Sequence, residues 1–208
     1  MDKQSRNLPE VNIGGATFFA DALRGVLVDK DNKDNLIYTG DMLRLDDHFE
    51  FVFDKHNRCL TNSNDGLEHD QFAYIWLRPL EVYDVEGAKM QLDNEEVSIP
   101  RNLPLIKIEG TAFLWDKSRT RLLQKDNPYN QIYKCSLDIH QGELGIYFDK
   151  RQKVVVFPQE RKRFEQNGGL PEHIRFVSSA IINRKIRQTE RFERQTQPTL
   201  KNKRMRVS

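Results

Sequence analysis

Cysteine is nearly absent from the 208 residues, with Cys59 and Cys135 standing alone. Two thiols far apart in the chain supply neither a disulfide framework nor a CxxC pair, which excludes a stapled secreted fold and a zinc ribbon. Long apolar runs are missing too. Nothing approaches the roughly 20 consecutive apolar residues that a membrane-crossing helix needs, and Met1 to Glu10 holds no stretch resembling a signal peptide. The expectation is a cytoplasmic protein that does not meet a membrane. Catalytic signatures are equally scarce: G-x-S-x-G, a Walker loop, H-E-x-x-H and G-x-G-x-x-G are all absent.

What is present is self-similarity. Sliding the chain by 95 positions lays Leu8–Leu60 over Leu103–Val155 without a gap, and 17 of those 53 pairs are identical. That share is well above chance, so the chain reads as a tandem duplication. The fold expected is α+β, mainly antiparallel β. Two duplicated modules would be related by a pseudo-two-fold axis, with a C-terminal helix and a basic tail following. The divisions are a first module over 1–91, a linker over 92–102, a second module with its helix over 103–183 and a basic tail over 184–208.

Residues shared by both copies report mainly on structure. Ile13–Gly15 and Ile108–Gly110 stand between alternating apolar residues, as in a tight hairpin whose glycine takes positive φ. Phe49, Phe51 and Phe53, and in the second copy Leu144, Ile146 and Phe148, recur with the period of a half-buried strand. Phe-Asp-Lys closes each of these strands with a polar turn. Each module therefore reads as a small antiparallel sheet. The KDN..N segments (Lys30, Asp31, Asn32, Asn35; Lys125, Asp126, Asn127, Asn130) read as structural loops, since Asp and Asn bond their own backbone in turns. Calcium ligation by Asp29, Asp31 and Asp34 is disfavoured because Gln124 and Tyr129 replace two of the three in the second copy. Asp21 with Arg24, repeated as Asp116 with Arg119, reads as a local ion pair.

Beyond the shared part, Gln71–Leu77 is apolar on both faces and reads as a buried strand; its row Phe72, Tyr74, Trp76 is assigned to core rather than to base stacking. Asp84–Met90 suits a short helix. Leu170, Ile174, Val177 and Ile181 fall at helical spacing behind Gly168 and Gly169, predicting a packed helix from about 171 to 188 that begins at Pro171.

Charge is strongly segregated. Residues 1–150 hold 18 Lys and Arg against 26 Asp and Glu, whereas 151–208 hold 15 against 5, a division that the overall +2 conceals. The candidate nucleic-acid-binding residues are Arg184, Lys185, Arg187, Arg191, Arg194, Lys201, Lys203, Arg204 and Arg206, with Arg161, Lys162 and Arg163 as an upstream extension or an exposed turn. Cations that neutralise phosphates release condensed counterions, so such a run binds polyanions with little sequence readout.

The five histidines (His48, His56, His69, His140, His173) are scattered and unmatched between the copies. Cys59 reads as a small core residue and Cys135 as no nucleophile. The expectation is no catalytic residue, no metal site and no cofactor. The function expected is a non-enzymatic binding or adaptor protein whose basic C-terminal region contacts nucleic acid while the body takes an unidentified protein partner. It would be a monomer or a homodimer. A protein-interaction or inhibitor module without nucleic-acid binding is the alternative.

The stretch LPEVNIGGATFFADALRGVLVDKDNKDNLIY (8–38), with RPLEVYDVEGAKM (78–90) and the basic ending, resembles uncharacterised proteins of bacterial conjugative and integrative elements. The resemblance implies a cytoplasmic accessory protein of a mobile element, working with DNA or a DNA-handling partner. It assigns no functional residue.

Overall fold

Sixteen short strands and four helices make up the described part of the computed structural model, which covers residues 6–61, 70–91, 103–133 and 136–196. The first half opens with a four-stranded antiparallel meander, β1 (Glu10–Ile13), β2 (Ala16–Asp21), β3 (Val26–Asp29) and β4 (Leu36–Tyr38). A second antiparallel sheet follows, in which β6 (Phe49–Asp54) pairs with β5 (Leu43–Arg44) and β7 (Cys59–Thr61), and also with β8 (Phe72–Leu77). Helices α1 (Leu80–Tyr83) and α2 (Val85–Gln91) close this half.

In the second half the meander is β9 (Leu105–Ile108), β10 (Thr111–Asp116), β11 (Arg121–Gln124) and β12 (Gln131–Tyr133). Its second sheet centres on β14 (Glu143–Asp149), paired with β13 (Asp138–His140), β15 (Val154–Val155) and β16 (Ile174–Ser178). Helix α3 (Pro158–Gln166) lies between β15 and β16, and α4 (Ser179–Thr196) follows. The strand order of the first half recurs, and the four meander strands begin 95 residues after their counterparts: Glu10 and Leu105, Ala16 and Thr111, Val26 and Arg121, Leu36 and Gln131.

Each half thus forms two sheets rather than the one small sheet expected, because the apolar face of a meander must be covered. The covering is aromatic. Phe18 meets Phe53 edge to face at 5.9 Å, and their counterparts Phe113 and Phe148 also meet at 5.9 Å, with all four side chains fully buried. The hairpin turns are as expected: Gly14 and Gly15, then Glu109 and Gly110, all take positive φ.

The KDN..N loops are structural ties. Asn35 donates to the Arg58 carbonyl at 2.9 Å and to Asp29 Oδ2, while Asn130 donates to the Lys153 carbonyl and to Gln124 Oε1, both at 2.6 Å. Arg58 and Lys153 are themselves in the left-handed region, so each Asn pins the strained turn that ends the Phe-Asp-Lys segment. Asp54 and Asp149 hold those same turns, each accepting two backbone N–H groups.

Asp21 and Asp116 also serve backbone, accepting from Arg24 N and Arg119 N. Their close ionic partners differ from those expected. Arg6 reaches Asp21 at 2.6 Å, against 3.9 Å for Arg24, and Asp116 pairs with Arg121 at 3.1 Å. A turn already bonded to the carboxylate through its backbone leaves the guanidinium of its own arginine pointing outward.

The helix expected over 171–188 is corrected. Ile174 and Val177 belong to strand β16, paired along β14 from Asp149↔Ile174 to Gly145↔Ser178, and the helix starts only at Ser179. Four residues at helical spacing also fit a strand joined to a helix; the open edge of β14 decided between them. The boundary placed after Asn183 falls inside α4. The segments 92–102 and 62–66, Cys135 and His69 lie outside the described residues.

Candidate nucleic-acid interface

Helix α4 begins where β16 ends, so its position is set by the second sheet. Ile182 and Ile186 are buried against the second core, while Ile181 is half exposed. Lys185 extends along the protein surface and donates to the Lys107 carbonyl at 2.6 Å. Arg184, Arg187 and Arg191 are exposed at i, i+3 and i+7, on one side of the helix. Among the described residues no carboxylate pairs with any of the three. Arg194 continues the row on the helix, but its side chain lies outside the described residues, as do Lys201, Lys203, Arg204 and Arg206 entirely.

Arg161, Lys162 and Arg163 are on α3 and not in a turn, because Pro158 starts a helix and Glu160 caps it by accepting the Phe157 N–H at 2.8 Å. Arg161 forms an ion pair with Asp138 at 3.2 Å without hydrogen-bond alignment, and lies over the Tyr147 ring. Arg163 donates to Asn12 Oδ1 in the first half. Lys162 is exposed. Helix α3 packs Phe164 against Tyr147 and Ile174 and reaches the first half through Gln159, Glu160 and Arg163. Helix α4 instead packs Ile182 and Ile186 with Ile146 and Phe148, which alternate with Tyr147 on the other face of β14. The upstream cations are thus placed apart from the α4 row, and two of the three are engaged within the protein.

Beside α4 lies a feature that inspection of the sequence passed over. A cleft of about 230 Å³ opens between the helix and the second meander, walled by Trp115, Leu122, Ile132, Leu144, Ile182 and Ile186. Trp115 is half buried and donates from Nε1 to Glu190 Oε1 at 3.3 Å, which fixes the indole against α4. The first half carries different residues at two of these positions. Ala20 stands in the place of Trp115 and Phe49, 5% exposed, in that of Leu144, which is 43% exposed. These substitutions between the copies were the available signal.

Of the row Phe72, Tyr74, Trp76, the last is stacked inside the molecule. Trp76 stacks on His48 at 4.6 Å and meets Phe157 edge on, and Tyr74 donates to Glu50. The strand itself is half buried, not fully buried, with Tyr74 exposed, because β8 pairs only with β6. Around this stack the two halves meet. Arg78 is buried and forked onto Glu160 at 2.6 and 2.9 Å, while Gln159 accepts the Trp76 N–H.

His48 lies 2.6 Å from Asp47 Oδ1 and 2.9 Å from Glu50 Oε1. Burial alone would lower its pKa, but hydrogen bonds to two carboxylates outweigh burial and raise it. Of the other histidines, His140 bonds the Tyr147 hydroxyl at 2.6 Å and His173 lies 3.5 Å from Asp149. Cys59 is half buried on β7, where burial pushes its thiol up. Asp29 is buried under Arg58 and Asn35 and held below the usual carboxylate range, and Asp31 shares Arg58 at 2.8 Å, while Asp34 is exposed.

No family model, curated protein or solved structure matches the chain. Among the described residues there is no helix long and apolar enough to cross a membrane and no group of His, Cys, Asp and Glu suited to hold a metal ion.

Proposed function

We propose that the chain is a non-enzymatic binding protein whose basic C-terminal region, centred on α4, holds nucleic acid in the cytoplasm. The observation that carries this reading is the row Arg184, Arg187 and Arg191: three exposed guanidinium groups on a helix anchored by Ile182 and Ile186, with no carboxylate partner among the described residues. Unpaired surface cations in register on a rigid element are free to neutralise phosphates without first breaking an ion pair. The same strand order in both halves supports a duplicated body, and the buried Arg78–Glu160 fork supports one in which the halves act as a unit. An accessory role for a bacterial mobile element fits this reading.

Fluorescence anisotropy of labelled DNA and RNA across a salt series tests it, comparing the full chain with R184A/R187A/R191A. Binding is expected to weaken steeply with salt, and the variant to lose about three from the slope of log affinity against log salt. Absence of binding at low salt, or an unchanged slope, overturns it. A protein-docking function then becomes the favoured reading, supported by Leu43 and Ile139, exposed by 61% and 63% on the short strands β5 and β13.

A further inference from the structure

A row of cations on a helix is blind to base and to strandedness. The cleft beside it is not. Its walls are apolar, with Trp115 along one side, and hydrogen-bonding side chains stand at the rim: Thr120 on the β10–β11 turn, and Ser179 and Asn183 on α4. Arg187 follows Asn183 by one helical turn, so one cation of the row lies next to the cleft's polar residues on α4. The β10–β11 turn, which carries Thr120, adds exposed Lys117 and Arg119. Lys117 lies 3.9 Å from Glu190, which places that turn against α4. Glu190 accepts from the Trp115 indole, and Glu143, beside Leu144, is an exposed acid of β14. Arg187 on the helix and Lys117 and Arg119 on the turn thus stand near residues that line an apolar slot.

Resting on the nucleic-acid reading above, we infer that the cleft between α4 and the β10–β12 meander receives an unstacked base, making the protein selective for single strands. The argument is one of complementarity. A base offers an apolar face for the walls and polar edges for Asn183, Ser179 and Thr120, and it is joined to phosphates on either side, which Arg187 on α4 and Lys117 and Arg119 on the turn would meet. A duplex hides its bases in the stack and can offer this surface only phosphates.

The decisive comparison holds charge constant and removes the bases. Oligothymidylate, an abasic oligonucleotide of the same length and a duplex are titrated into the full chain at one salt concentration. Thymidylate is expected to bind about tenfold more tightly than the abasic strand, the scale of one base–aromatic contact. Trp115→Leu should remove most of that preference while leaving abasic and duplex affinities and the salt slope unchanged. Trp115→Phe, which keeps an aromatic face, should retain it, and Asn183→Ala on the helix surface should weaken thymidylate alone. Urea melts of each variant establish that the fold persists. If thymidylate and abasic strands bind equally, the inference fails while the polyanion reading stands, and the cleft is left to an apolar side chain of a protein partner. If no oligonucleotide binds at low salt, both fail.

Discussion

Asn130 illustrates how one side chain closes a loop. Buried at 5% exposure, it donates to Gln124 Oε1 and to the carbonyl of Lys153, a residue held at φ of 60°. Asn130→Ala removes both donors and leaves a buried amide oxygen and a carbonyl without them, which is expected to cost about 2 kcal/mol in urea unfolding. Asn130→Asp should not rescue it, because a carboxylate cannot donate to either oxygen. That these asparagines are structural was legible from their repetition and from the turn chemistry of Asn. Their partners were not, because Arg58 and Lys153 lie 23 residues further along the chain.

At the scale of elements, the helices that end each half are attached differently. Helix α4 is held by an apolar stripe. Helices α1 and α2 are short and depend on Arg6, which reaches Asp84 at 2.9 Å and Asp21 at 2.6 Å, while Asp84 also accepts the N–H groups of Ala22 and Gly87. Gly87 is required by this clamp, since a Cβ there would stand 2.1 Å from both Arg6 Nη1 and Asp84 Oδ2. Ala is the better helix former by about 1 kcal/mol, yet Gly87→Ala is expected to lower the melting temperature, because the clamp must open to admit the methyl group. A rise in melting temperature would show that the clamp adds little. The short helix was readable from Asp84–Met90, but the clamp was not, because its arginine lies 78 residues away.

The whole molecule turns on the joint between its halves, where His48 sits among Asp47, Glu50, Trp76 and Phe157, with Ser136 on Asp47 and Tyr74 on Glu50. A histidine whose pKa is raised on folding contributes stability that is complete below its unfolded value of 6.5 and is lost as pH rises through the higher folded value. The urea midpoint is therefore expected to fall as pH rises above about 6.5, and His48→Gln should flatten that part of the profile. An identical profile in the variant would remove His48 from the joint's energetics. Asp54 acts in the opposite direction. Backbone N–H groups, that of Asn57 foremost, hold it at about 2, so its contribution survives until strongly acid conditions.

The sequence by itself determined the local chemistry: alternating apolar residues made strands, Gly-containing turns closed hairpins, and Asp and Asn at repeated positions tied loops, because each depends on neighbours a few residues apart. The segregation of charge was legible for the same reason, being a property of composition. Tertiary structure alone decided the rest. Whether Ile174 and Val177 joined a helix or a strand depended on the free edge of β14. Whether the aromatics of β8 faced solvent depended on His48 and on Phe157, which α3 brings across from the other half. The cleft beside α4 gathers Trp115, Leu122, Ile132 and Leu144 from different strands with Ile182 and Ile186 of the helix. Volume of that kind belongs to no single segment, since it is what remains between elements once packing has placed them.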